Sequence, residues 1–86
     1  MGIMQMTQLN KLKSGQSATV VSFTHDGPVT RRLMELGLVA GKKIKYVRRA
    51  PLRDPIQIQV GDSNLSLRNS EASLVLVELA QETVLQ

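Results

Sequence analysis

The sequence predicts a mainly β fold, a small five-stranded barrel with one short α-helix inserted between strands. The chain has 86 residues and no cysteine, so neither disulfides nor thiolate metal ligands supplement a small hydrophobic core. Apolar and polar residues alternate over most of its second half, which is the period of a half-buried strand. Glycines and prolines interrupt the alternation at short intervals, as the turns of a small barrel require.

The first two predicted elements are a helical turn and a strand. Leu9 and Leu12 lie one turn apart before Gly15, which predicts a single helical turn over residues 7–12 at one end of the core. Ser17–Phe23 consists mostly of β-branched and small residues and therefore predicts the first strand.

The inserted helix has a clear start and a clear end in the sequence. Pro28 is favoured at the first helical position, where its missing N–H costs nothing. Gly37 supplies the left-handed residue that ends the helix, with Leu38 folding back on Leu33. A buried stripe is predicted at i, i+4 and i+7, formed by Val29, Leu33 and Leu36.

A strand over Lys43–Arg49 is predicted after Gly41, and strict alternation defines its two faces. One predicted face holds Ile44, Tyr46 and Arg48, and the other holds the residues between them. The next segment contains two prolines, which remove ladder donors and fix the backbone. We therefore expect the chain to turn a corner over residues 50–55.

The last third of the chain completes the predicted barrel. Two strands joined by a hairpin come first, followed by one helical turn and a nearly continuous apolar strand. Their predicted bounds are 56–60, 65–67, 69–72 and 74–79, with a loosely held tail over 80–86. Five short strands favour an SH3-like barrel over an OB-fold, whose strands are generally longer. The chain is thus predicted to be one domain, residues 1–86, with its core at about 7–79.

Four short motifs occur in a fixed order: Leu12-Lys13-Ser14-Gly15; Arg32-Leu33-Met34-Glu35-Leu36-Gly37-Leu38 with Gly41; Ala50-Pro51-Leu52-Arg53-Asp54-Pro55; and Leu67-Arg68-Asn69-Ser70-Glu71-Ala72. Over roughly residues 9–78 the chain resembles the FeoA family, small cytosolic proteins that accompany the FeoB ferrous iron transporter of bacteria. Ala40 departs from the proline that the family commonly has before the second glycine, so a softer loop is expected. The resemblance implies an SH3-like fold and a non-enzymatic accessory role in ferrous iron uptake.

The predicted partner-binding surface lies on the outer side of the helix and on the loop after it. At about 100° per residue, Met34 points roughly 140° away from the start of the predicted stripe. An exposed methionine beside an arginine is a typical contact point, although a lone surface methionine is the alternative. The surface is predicted to comprise Arg31, Met34, Glu35, Leu38 and Gly41. The resemblance implies that its partner is the cytoplasmic GTPase domain of a FeoB-like transporter.

No residue pattern predicts catalysis, a bound cofactor or a metal site. His25 and Asp26 form the one histidine–carboxylate neighbourhood, and a single histidine without cysteine gives no recognisable ligand spacing. Nucleophile motifs and phosphate-binding glycine loops do not occur. An enzyme is therefore not expected, and any link to iron is expected to run through the transporter.

Two other functions stay open on the sequence alone. The first is nucleic-acid binding by a basic segment, which contains Lys42, Lys43, Lys45, Arg48, Arg49 and Arg53. This function is not expected, because the chain lacks the aromatic platforms on which single strands stack. The second is a metal-responsive regulatory domain, which suffers from the same shortage of ligands.

The sequence also predicts a location. It contains neither a recognisable secretory signal nor the roughly 20 consecutive apolar residues of a membrane span. We therefore expect a cytoplasmic protein that reaches the membrane only through its partner. Self-association is left open.

Overall fold

The computed structural model describes residues 4–52 and 54–80, and within them the chain forms six strands and three short helical segments. The strands are β1 Met4–Gln8, β2 Ser17–Phe23, β3 Lys43–Arg49, β4 Ile56–Val60, β5 Ser63–Leu67 and β6 Val75–Ala80. The helical segments are a 3-10 turn at Leu9–Lys11, α1 at Pro28–Glu35 and α2 at Asn69–Ala72. The predicted mainly β class is confirmed, with one strand more than the five expected.

All the strand pairs are antiparallel, in the order β1-β6-β2-β3-β4-β5, so that β1 and β5 are the two edges of one sheet. The sheet wraps around a single core to which both the sheet and α1 contribute. Its largest fully buried side chains are Leu9, Val20, Leu33, Leu38, Tyr46, Ile56, Ile58, Leu67, Val75 and Val77. Of the described helices, none has the length and apolar run needed to cross a membrane.

The additional strand is β1, which pairs with β6 along its whole length. The helical turn predicted over residues 7–12 is correspondingly shorter, a 3-10 turn at Leu9–Lys11. The first two residues of that prediction extend β1 instead, because the edge of β6 offers them ladder hydrogen bonds. Leu9 and Leu12 are both buried, as expected for residues that close one end of the core.

A β-bulge changes the faces of β3 halfway along the strand. The register of β3 against β4 shifts between Tyr46 and Arg48, which makes Val47 the extra residue. Arg48 consequently lies on the outer face, where its Nε donates a 2.9 Å hydrogen bond to Gln57 Oε1. The prediction that Arg48 shares a face with Tyr46 is therefore wrong, because the bulge reverses the alternation.

The same bulge brings Arg49 to the inner side of the barrel. Its Nε donates to Tyr46 Oη at 2.8 Å, and its Nη2 donates to the carbonyl of Asn10 at 2.7 Å. The guanidinium carbon lies 5.9 Å from the centroid of the Tyr46 ring, within the range of a cation–π contact. Arg49 thus ties β3 to the 3-10 turn at the end of the core.

The corner predicted over residues 50–55 connects β3 to β4. The N–H of Ala50 donates to the carbonyl of Pro55 at 2.9 Å, which closes the corner at its base. Asp54 Oδ1 accepts a 2.8 Å hydrogen bond from the N–H of Asn69, the first residue of α2. Residue 53 and the predicted tail from residue 81 onward lie outside the described residues.

Candidate docking site

Only one side of α1 packs against the core. Thr30 and Leu33 are 3% and 0% exposed, whereas Val29 and Leu36 are 39% and 44% exposed. The predicted stripe is therefore wrong at two of its three positions. Thr30 faces inward because its hydroxyl donates a 2.7 Å hydrogen bond to the carbonyl of His25, which satisfies a buried polar group. The helix is rotated relative to the prediction, so that apolar side chains remain on its outer side.

The end of α1 directs the loop that follows. Gly37 has a φ of 107°, and its N–H donates to the carbonyl of Met34 at 3.0 Å. The N–H of Leu38 donates to the carbonyl of Leu33 at 3.0 Å, which completes the predicted helix end. Leu38 is 0% exposed and joins the core. A buried side chain cannot touch a partner directly, so its place in the predicted partner surface is wrong.

The other residues predicted for the partner surface lie outside the core. Arg31, Met34 and Glu35 are exposed on α1, and Gly41 is exposed in the loop with a φ of 89°. Gly41 has no side chain to offer, and its backbone N–H donates to the carbonyl of Val20 at 2.8 Å. Its role is therefore to hold the loop in place.

A mostly apolar groove of about 490 Å³ lies between α1, the end of β2 and the loop after α1. Met34 lines it from the helix, Phe23 and His25 line it from the β2 side, and Val39 and Ala40 line it from the loop. Its volume is in the range of binding pockets. The structure thus brings Met34 and the loop predicted for the partner surface to the rim of one concave site.

Several exposed apolar side chains lie on α1 and on the loop after it. Seven large hydrophobic residues are exposed among those described, and four of them lie between residues 29 and 39. Two of these four, Met34 and Val39, are each 44% exposed and line the groove. Exposed apolar side chains beside a groove are typical of an interaction site.

Half of the ten residues that line the groove have polar side chains, Ser22 and Thr30 among them. Thr24 Oγ1 and His25 Nδ1 lie 3.0 Å apart, and Asp26 contributes the one carboxylate of the lining. Across residues 4–52 and 54–80, no three histidine, aspartate or glutamate side chains come together as a metal site would require. With apolar walls and little charge, the groove is suited to side chains of another protein.

Two residues of the groove were missed by sequence reasoning. Phe23 ends the predicted strand Ser17–Phe23, and it is half-buried, packs against the core and borders the groove. Val39 follows the buried Leu38 in a loop, so that it has no core position of its own. An apolar residue placed directly after a helix-closing leucine was the available signal for this exposed side chain.

The fold defines a small SH3-like β-barrel with a groove beside α1. The FeoA domain model matches residues 7–79, and the chain belongs to the FeoA family. The family resemblance seen in the sequence motifs is therefore confirmed.

Three relatives illustrate the likeness. A fusion of Fe(2+) transport protein A with the Fe(2+) transporter FeoB from Porphyromonas gingivalis is 40% identical over 72 residues, which cover 84% of this chain but only 8% of that protein. The solution structure of FeoA from Chlorobium tepidum is 42% identical with a TM-score of 0.79, covering 85% of this chain and 70% of the other. The crystal structure of Stenotrophomonas maltophilia FeoA in complex with zinc, a prokaryotic SH3 domain protein, is 37% identical with a TM-score of 0.74, covering 83% and 88%. The last likeness supports the SH3-like class.

Proposed function

We propose that this chain is a cytoplasmic accessory protein of bacterial ferrous iron uptake, which acts by binding the cytoplasmic GTPase domain of a FeoB-like transporter. The apolar groove beside α1 is the observation that carries the proposal, because it offers a docking site without catalytic groups. Membership of the FeoA family supports a FeoB-like transporter as the partner. The Porphyromonas gingivalis fusion adds support, since two domains in one chain meet at a high effective concentration.

The proposed contact has an apolar centre with charged residues beside it. Met34 and Val39 supply exposed apolar surface at the groove, and Arg31 and Glu35 are exposed on the same helix as Met34. Interfaces often combine a desolvated apolar centre with a polar rim, and a few central residues carry most of the binding energy. The unbranched thioether of Met34 suits this central position because it adapts to the shape of a partner.

The proposal is tested by measuring the affinity of the chain for the purified soluble GTPase domain of a FeoB-type transporter. Met34→Asp places a charge in the apolar centre, and we expect it to weaken binding by about tenfold or more. Leu52→Asp is the matched control, because Leu52 is 90% exposed in the corner between β3 and β4 and does not line the groove. Its affinity should equal that of the unmodified chain.

Two results would contradict the docking site. Unchanged affinity of Met34→Asp would remove the groove from the interface. Equal weakening by both substitutions would indicate a general charge effect rather than a local contact. Thermal unfolding of each variant verifies that the substituted chains remain folded.

A further inference from the structure

A second surface, separate from the groove, carries strong positive charge. Lys43 and Lys45 project outward from β3, and Arg48 rejoins them after the bulge. We call these three exposed residues the basic face. Their side chains stand on one side of the sheet because the residues between Lys43 and Tyr46 alternate between the core and solvent.

The charge of the basic face is not compensated by its neighbours. The residues opposite it on β2 and β4 are polar and uncharged, namely Ser17, Thr19, Gln57 and Gln59. Thr19 on β2 pairs with Lys43 on one side and with Glu78 of β6 on the other, so that the Glu78 carboxylate lies two strands away from Lys43. In the part of the chain that the structure describes, the one ion pair joins Arg32 to Glu71 on a different surface. The three cations of the basic face therefore attract anions from outside the molecule.

The chemistry of the basic face favours a diffuse anionic surface over two other partners. A single-stranded nucleic acid needs exposed aromatic rings for stacking, and Tyr46 in the same strand is only 2% exposed. A protein partner usually needs an apolar centre, whereas the face offers only Val47, at 39% exposure, among lysine, arginine, glutamine, serine and threonine. Headgroups of anionic lipids need neither feature.

We infer that the basic face binds the anionic headgroups of a phospholipid bilayer. The inference rests on the proposed function for its setting, since a transporter partner holds the chain beside a membrane. It goes beyond the sequence prediction, in which contact with the membrane ran only through the partner. The groove and the basic face share no residue, so lipid and partner can be bound together. Three cations give weak, reversible and salt-sensitive attachment, which becomes effective once a partner adds a second contact.

Vesicle binding of the purified full chain tests the inference without any transporter. The vesicles are of phosphatidylcholine alone, or with about a third of the lipid replaced by phosphatidylglycerol. We expect binding to the anionic vesicles only, and its loss when NaCl is raised from about 50 mM to about 500 mM. Binding to both kinds of vesicle, or to neither, would overturn the inference.

A pair of double substitutions distinguishes an effect of the basic face from an effect of the net charge of the chain. Lys43→Gln with Lys45→Gln removes two charges from the face, and we expect partitioning to fall by roughly tenfold to thirtyfold. Lys11→Gln with Arg68→Gln removes the same charge from exposed positions outside the strands, and should change partitioning by less than about threefold. Equal losses in both variants would contradict the inference. Tighter binding of a single-stranded oligonucleotide than of anionic vesicles at the same salt would also contradict it.

The vesicle result is independent of the transporter result. Failure to bind lipid would leave docking of the GTPase domain at the groove untouched, because those vesicles contain no protein partner. Failure of Met34→Asp to weaken transporter binding would likewise leave the lipid contact standing.

Discussion

Leu33 and Leu36 lie three positions apart in α1, yet their surroundings are opposite. Leu33 is fully buried, whereas Leu36 is 44% exposed. Helical periodicity alone gives both residues to one stripe. It does not show that the hydroxyl of the buried Thr30 donates to the carbonyl of His25. The inward face was therefore predictable as a helix face, but its rotation depended on a hydrogen bond between Thr30 and the loop before α1.

The two leucines give a direct stability comparison. Leu33→Ala removes a fully buried side chain and should lower the free energy of unfolding by about 2–5 kcal/mol. Leu36→Ala alters a half-exposed side chain and should lower it by less than about 1 kcal/mol. Urea denaturation of both variants measures the difference. Equal losses would mean that α1 packs in the orientation that periodicity predicts.

At the scale of the elements, the sequence indicated the positions of most strands and both helices. Proline, glycine and apolar alternation encode those positions locally, and β2, β3, β4, α1 and α2 lie where the patterns put them. The bulge in β3 was not predictable, because Val47 looks like any other strand residue. Its insertion depends on how β3 and β4 pair over the core.

The bulge leads to a prediction about two adjacent arginines. Arg49→Met removes hydrogen bonds to Tyr46 Oη and to the carbonyl of Asn10, and should lower the free energy of unfolding by about 1–3 kcal/mol. Arg48→Met removes an exposed hydrogen bond to Gln57 and should change the free energy of unfolding by no more than about 0.5 kcal/mol. Chemical denaturation distinguishes the two. A larger loss for Arg48→Met would contradict the register shift.

At the scale of the whole molecule, the barrel presents two surfaces of different chemistry. The groove beside α1 is apolar, and the outer face of β3 is cationic. The sequence predicted both the helix side and the basic segment, but not how they lie on the fold. It also missed β1, a strand of five residues in which Gln5 and Met6 are both exposed. That strand forms because β6 has an edge to pair with, which is a property of the folded sheet.

Assembly with the transporter is the central claim, and amide chemical shifts test it most directly. The ¹⁵N-labelled chain is titrated with the unlabelled soluble GTPase domain of a FeoB-type transporter. The account predicts that the signals perturbed first belong to α1, to residues 37–41 and to the end of β2, while those of Lys43 and Lys45 stay in place. Perturbation confined to β3 and β4, with α1 unchanged, would contradict it.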